Sequence, residues 1–256
     1  MRRTFASLCA FAGLSGSAFA ADLPPSPPPR APAVYVPAVL PVYNWSGFYI
    51  GINGGWGWAS GTITDTVTSG PLSGLTGTSS GNINGGIFGG QIGANYQIDY
   101  LALGIEGDWD WSGQQRTDTF GCGVGCTVSE NIKIGWIATI RGRIGYAMDR
   151  VLLYATGGGA FTHTSDNVTA TGIGTIFNAS STNPGWTIGA GAEWAFAQNW
   201  TARVEYLYVA TNVSQSGAIP VVGGTITETG NVRDNLIRAG VNFKFPSREE
   251  MKSLAN

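Results

Sequence analysis

From residue 132 to 146 the chain alternates with a period of two, Ile-Lys-Ile-Gly-Trp-Ile-Ala-Thr-Ile-Arg-Gly-Arg-Ile-Gly-Tyr. Read as a strand, it sets Ile132, Ile134, Trp136, Ala138, Ile140, Ile144 and Tyr146 against Lys133, Gly135, Thr139, Arg141, Arg143 and Gly145. A globular core receives the charged face only at high cost, because buried charges are expensive unless paired, and water does not cover so long an apolar face. The pattern predicts lipid on one side and countercharges on the other.

Seven further segments alternate in the same way: 47–58, 87–97, 101–111, 151–163, 186–196, 201–210 and 235–245. Charge falls on one face of each segment that has any, with Glu106 and Asp108 in the third, Glu193 in the sixth, Arg203 and Glu205 in the seventh, and Arg238 and Lys244 in the eighth. The 151–163 segment has no strong polar side. Short connections near 98–100, 148–149 and 198–199 alternate with long ones at 59–82, 112–130, 164–184 and 211–232. Strands of about 9 to 11 residues suffice to cross the apolar layer when tilted, and an even number of them closes without an unpaired edge. The expected fold is therefore all-β: an eight-stranded antiparallel up-and-down transmembrane β-barrel with short periplasmic turns, long extracellular loops and both termini periplasmic. Most of the nine tryptophans fall near segment ends, as aromatic girdles require.

Composition supports a crowded sheet. The 256 residues include 39 glycines without a Gly-X-Y period, and only 12% are charged. A formal net charge of −2 with no basic patch argues against nucleic acid as a partner. Residues 1–20 read as a signal peptide, with Arg2 and Arg3, an apolar run and Ala18-Phe19-Ala20 as the cleavage site. Beyond it no apolar run is long enough for a transmembrane helix. Residues 21–46 are Pro-rich and read as an extended periplasmic linker, 47–245 as the barrel and 246–256 as a periplasmic tail. Export leaves two cysteines, Cys122 and Cys126, and an oxidising compartment favours their pairing as a small disulfide staple. The nearby sequence offers too few ligands for a metal, and nothing calls for a cofactor.

Tyr43-Asn44-Trp45-Ser46-Gly47-Phe48-Tyr49-Ile50-Gly51, Leu153-Tyr154-Ala155-Thr156-Gly157-Gly158, Arg203-Val204-Glu205-Tyr206 and Leu236-Ile237-Arg238-Ala239-Gly240-Val241-Asn242-Phe243 occur in that order. Together they resemble the outer-membrane immunogenic protein family of alphaproteobacteria, small barrels of the OmpA type, over residues 43–245. The resemblance implies a non-catalytic surface antigen of the cell outer membrane, set among lipid and lipopolysaccharide. It also implies folding by the barrel-assembly machinery, which reads a terminal aromatic. Here Phe243 and Phe245 fit that signal, although residues 246–256 continue past it. Some family members bind haem.

Within so narrow a barrel side chains fill the bore. Glu106, Asp108, Glu193 and Glu205 with Lys133, Arg141, Arg143, Arg203, Arg238 and Lys244 are expected to pair as a plug; the alternative is a small-solute channel. His163-Thr164-Ser165 resembles the His and Ser of outer-membrane lipid A deacylases, but Asp166 falls on the opposite face and no orienting acid is in reach. That leaves an interfacial histidine, with lipid A chemistry or an axial haem ligand as the sharper alternatives. The Ser-, Thr- and Gly-rich loops are the expected contact for a surface or periplasmic protein partner.

Overall fold

The computed structural model describes residues 43–123, 125–172, 174–219 and 223–246. The signal peptide, the linker up to residue 42 and the tail from residue 247 lie outside the described residues. Nine strand segments follow one another: β1 (Gly47–Ser69), β2 (Thr76–Ile98), β3 (Leu101–Ser112), β4 (Gln115–Gly123), β5 (Cys126–Met148), β6 (Val151–Ala170), β7 (Gly174–Ala195), β8 (Trp200–Ile219) and β9 (Gly224–Lys244). All pairings are antiparallel, and β1 pairs with both β2 and β9, so the sheet closes on itself. β3 and β4 form one stave broken at Gly113 and Gln114, and both pair with β5, which makes eight staves in all.

The wall is inverted relative to a soluble barrel. Ile105 and Ile140 on the outer face are each 69% exposed, whereas Arg141 on the inner face is 1% exposed. An outer face of this kind is stable only against hydrocarbon. Two of the short turns have an aspartate at positive φ, Asp99 at 52° and Asp149 at 50°, a region that Asp tolerates better than most residues.

Three features differ from the pattern-based expectation. The long connections are mostly strand: β1 and β2 stay paired from Gly47 with Asn95 to Thr66 with Thr76, so the loops are hairpins that extend the barrel past its apolar belt. Apolar alternation marks only the part of a strand that meets lipid, while Thr-rich strand continues as long as pairing holds. Secondly, the register of β5 shifts between Ile134 and Trp136, at Gly135. This bulge adds a residue and reverses the facing of everything before it. Ile134 is thereby buried inside at 1% exposure, and Lys133, expected in the lumen, is exposed. Thirdly, Tyr43 to Ser46 do not dangle as linker. Tyr43 N donates to Asp149 Oδ1 at 2.9 Å, Trp45 N to Gln97 Oε1 at 2.7 Å and Trp45 Nε1 to the Asp149 carbonyl at 3.0 Å. Tyr43 and Trp45 pack with Ala102, Ala147, Leu152 and Tyr154, closing the short-turn end.

At the other end of the charged zone, Ile87, Ile134, Ile137, Leu207, Val209 and Leu236 form a second buried apolar layer inside the wall. The lumen is therefore stacked as an apolar floor, a charged middle and an apolar ceiling.

Candidate functional site

The charged middle is built by strand register. Glu106 of β3 lies opposite Arg141 of β5, Asp108 opposite Thr139, and Glu205 of β8 opposite Arg238 of β9. Each pair starts within reach, and the small bore brings the pairs together. Arg141 forks to Glu106 Oε1 at 2.5 Å and Asp108 Oδ2 at 2.8 Å through Nη2, and to Glu205 Oε1 at 2.9 Å through Nη1. Arg238 reaches Asp108 Oδ1 at 3.0 Å and Glu205 Oε2 at 2.6 Å, and also pairs with Asp110. Arg203 Nη1 meets Glu106 Oε2 at 2.5 Å, and Arg143 Nη2 meets Glu193 Oε2 at 2.8 Å. Planar guanidinium forks suit such bridging, because one side chain serves two or three carboxylates with fixed geometry.

Neutral groups add further hydrogen bonds. Tyr49 donates to Glu106 Oε2 at 2.6 Å and accepts from Arg143 at 2.9 Å; Thr139 donates to Asp108 at 2.6 Å; Asn242 donates to Glu193 at 2.8 Å. Gln91 donates to Asn242 Oδ1 at 2.7 Å, and Asn53 to Gln91 Oε1 at 2.8 Å, carrying the chain of bonds back to β1 and β2. Tyr154 of β6 donates to Glu205 Oε1 at 3.2 Å, so that every stave contributes to this one network. Gly93 makes room for it, since a Cβ there would lie 2.3 Å from the Tyr49 hydroxyl.

Of the residues expected in the lumen, Glu106, Asp108, Arg141, Arg143, Glu193, Arg203, Glu205 and Arg238 come together. Lys244 is buried lower, its Nζ donating to the Asn44 carbonyl at 2.6 Å and lying 4.8 Å from the Tyr43 ring centre, so it ties the floor to the wall. Lys133 stands apart for the reason given by the Gly135 bulge. Lys133→Ala is accordingly expected to change the unfolding free energy of the barrel, read from urea unfolding, by no more than about 0.5 kcal/mol. The alternation puts Asp110, Tyr49 and Asn242 on the polar faces of their strands but does not single them out as members of the network, and Tyr154 lies in the one segment without a marked polar side.

His163 faces outward and stacks on Trp136 with ring centres 5.4 Å apart; Trp136 stacks in turn on Trp109 at 4.4 Å. Its Nδ1 lies 3.2 Å from Thr182 Oγ1, which makes it a girdle residue with a neutral neighbour. Among the described residues no three His, Cys, Asp or Glu side chains are grouped to hold a metal. Cys126 is disulfide-bonded, while the side chain of Cys122 lies outside the described residues. Phe243 packs edge-on against Trp200 at 5.2 Å and Phe245 at 5.4 Å, and Phe245 N donates to the Phe48 carbonyl at 2.9 Å, just past the end of β9.

The family model for the outer membrane protein beta-barrel domain matches residues 6–245. The chain is 33% identical over 243 residues to the 31 kDa outer-membrane immunogenic protein of Brucella melitensis, covering 90% of this chain and 94% of that one. It is 31% identical over 232 residues to the 25 kDa outer-membrane immunogenic protein of Brucella canis, covering 90% and 92%. The 22 kDa outer membrane protein of Rhizobium leguminosarum is 33% identical over 153 residues, 59% of this chain and 62% of that protein. Among solved structures, OprG from Pseudomonas aeruginosa aligns over 80% of this chain and 99% of its own, with 10% identity and a TM-score of 0.48.

Proposed function

The chain belongs to the outer membrane protein beta-barrel domain family, and on that premise we propose that it is a non-catalytic, closed barrel that contributes to envelope structure and presents its hairpins to the outside. The observation that carries this reading is the lumen: four buried arginines interlock with five buried carboxylates, between an apolar floor and an apolar ceiling. Opening a path through it would separate ion pairs in a dry site, at several kcal/mol for each group left alone. A channel would instead leave its charges lining water.

In the proposed orientation the short turns, the Pro-rich linker and the C-terminal tail face the periplasm, and the hairpins face the exterior. Lys133 and Arg233 then stand exposed beyond the tryptophan ring, where they meet the phosphates of lipopolysaccharide. Phe243 and Phe245 would be read by the assembly machinery from the periplasmic side. The hairpin tips are the surface offered to a protein partner.

Deleting the gene tests the proposal. A strain without it is expected to admit detergents and bulky antibiotics more readily, with the barrier restored by the wild-type gene and uptake of small solutes unaffected. An unchanged barrier together with impaired uptake of a small solute would overturn the closed-barrel reading in favour of a channel.

A further inference from the structure

Beyond the apolar ceiling, inside the hairpin extension, lies a cavity of about 280 Å³. Ile63, Ile83, Ile132 and Val232 wall it, and the same four residues line a smaller adjoining chamber that reaches Asp166 and Gln215. We propose that this cavity is a binding site for a small organic cation, an apolar body carrying one ammonium group, entered from the hairpin end.

Two independent observations point there. The first is the lining: isoleucines and valine below, then carboxylates around. Charged side chains grouped about this space are Asp65 from β1, Arg116 and Asp118 from β4, Glu130 from β5, Asp166 from β6 and Glu228 from β9. The extensions of β2, β7 and β8 bring no charge, and their polar side chains are Ser, Thr, Asn and Gln. Five carboxylates thus face one guanidinium, and Arg116 is already held by Asp118 at 2.8 Å. Asp65 and Glu228 are direct cross-strand partners, as are Asp118 and Glu130, placements that are unfavourable unless a cation lies near. The second is Asp166 itself. It is only 5% exposed, lines the inner chamber, and its Oδ1 has no hydrogen-bond partner, which a buried carboxylate rarely tolerates.

The class of ligand follows from the mixture. A bare metal ion wants converging oxygens, and no three acids among the described residues are so arranged. A neutral apolar molecule leaves Asp166 Oδ1 without a donor. An alkyl- or arylammonium fills the aliphatic floor and supplies the missing donor.

Protons and ligand compete. Burial, then Glu228, Glu130 and Asp65, push the Asp166 carboxyl from 3.8 up to about 7, and burial raises Asp65, Glu130 and Glu228 as well. The folded hairpins therefore hold protons that an unfolded chain releases, and their stability falls as pH rises from 3.8 through about 7. The cation binds the deprotonated form, so its affinity rises over the same interval.

The test is titration calorimetry of the full mature chain in lipid nanodiscs with 2-phenylethylammonium, with empty nanodiscs as blank. Binding is expected at pH 8, weaker by about tenfold at pH 5.5 and by about tenfold or more in Asp166→Asn. Heat-modifiable gel migration checks that the variant folds, and Glu130→Gln serves as a second variant. Equal binding of 2-phenylethanol would overturn the proposal, as would full displacement by magnesium or undiminished binding in both variants. The site does not depend on whether the lumen below conducts; it takes from the proposed orientation only the side from which ligand arrives.

Discussion

Arg238→Ala is expected to lower the unfolding free energy of the barrel by about 3 to 5 kcal/mol, the loss that follows from leaving buried partners unpaired. Arg238 bridges Asp108, Asp110 and Glu205, and among the described residues Asp110 has no second ion pair. Removing the guanidinium strands the fully buried Asp110 and leaves Asp108 and Glu205 to Arg141. Arg238→Lys keeps the charge but not the fork, so an intermediate loss is expected. Urea unfolding of the refolded barrel, followed by tryptophan fluorescence and by gel migration, reads both. A midpoint unchanged in Arg238→Ala would mean that water already solvates the network.

Trp45→Ala is the second large effect, about 3 to 5 kcal/mol from the loss of a buried indole and the cavity it leaves. Trp45 is 2% exposed, edge-on to Tyr43 at 4.9 Å, and its Nε1 holds the Asp149 turn. Because Trp45 packs with Ala102, Ala147, Leu152 and Tyr154 at the short-turn end, the loss falls there. Amide exchange is expected to speed up around Gln97, Asp149 and Ala195 while the network residues stay protected. Trp45→Phe retains the packing without the hydrogen bond and is expected to cost about 1 kcal/mol. Uniform acceleration along all strands would show that the segment is not a separate floor.

Much of this site was legible because period-two alternation reports facing directly. Glu106, Asp108, Arg141, Arg143, Arg203, Glu205 and Arg238 sit where their parity puts them, and the closed ring of eight staves follows from counting faces and connections. Parity fails where a residue is inserted. Gly135 carries no side chain to betray the bulge, so Ile132 and Ile134 continued an apolar face that in the structure crosses from outside to inside. For the same reason the apolar ceiling was invisible: inward Ile134 and outward Ile140 are the same residue type, and only register separates them. The floor was hidden differently. Trp45 belongs to a stretch whose neighbours are proline, and its partners lie 52 and 104 residues away. Local pattern carries no information about such contacts. The hairpin cavity lies in segments without lipid-facing alternation, where Thr and Ser leave parity unmarked.

Whether the lumen is closed is decided by single-channel recording of the purified wild-type barrel in a planar bilayer. With Arg141, Arg143, Arg203 and Arg238 locked to their carboxylates and Trp45 seated, the expected trace shows no stable open level. A large, long-lived conductance from folded wild-type protein would contradict the interlocked lumen and return its charges to the role of a selectivity lining.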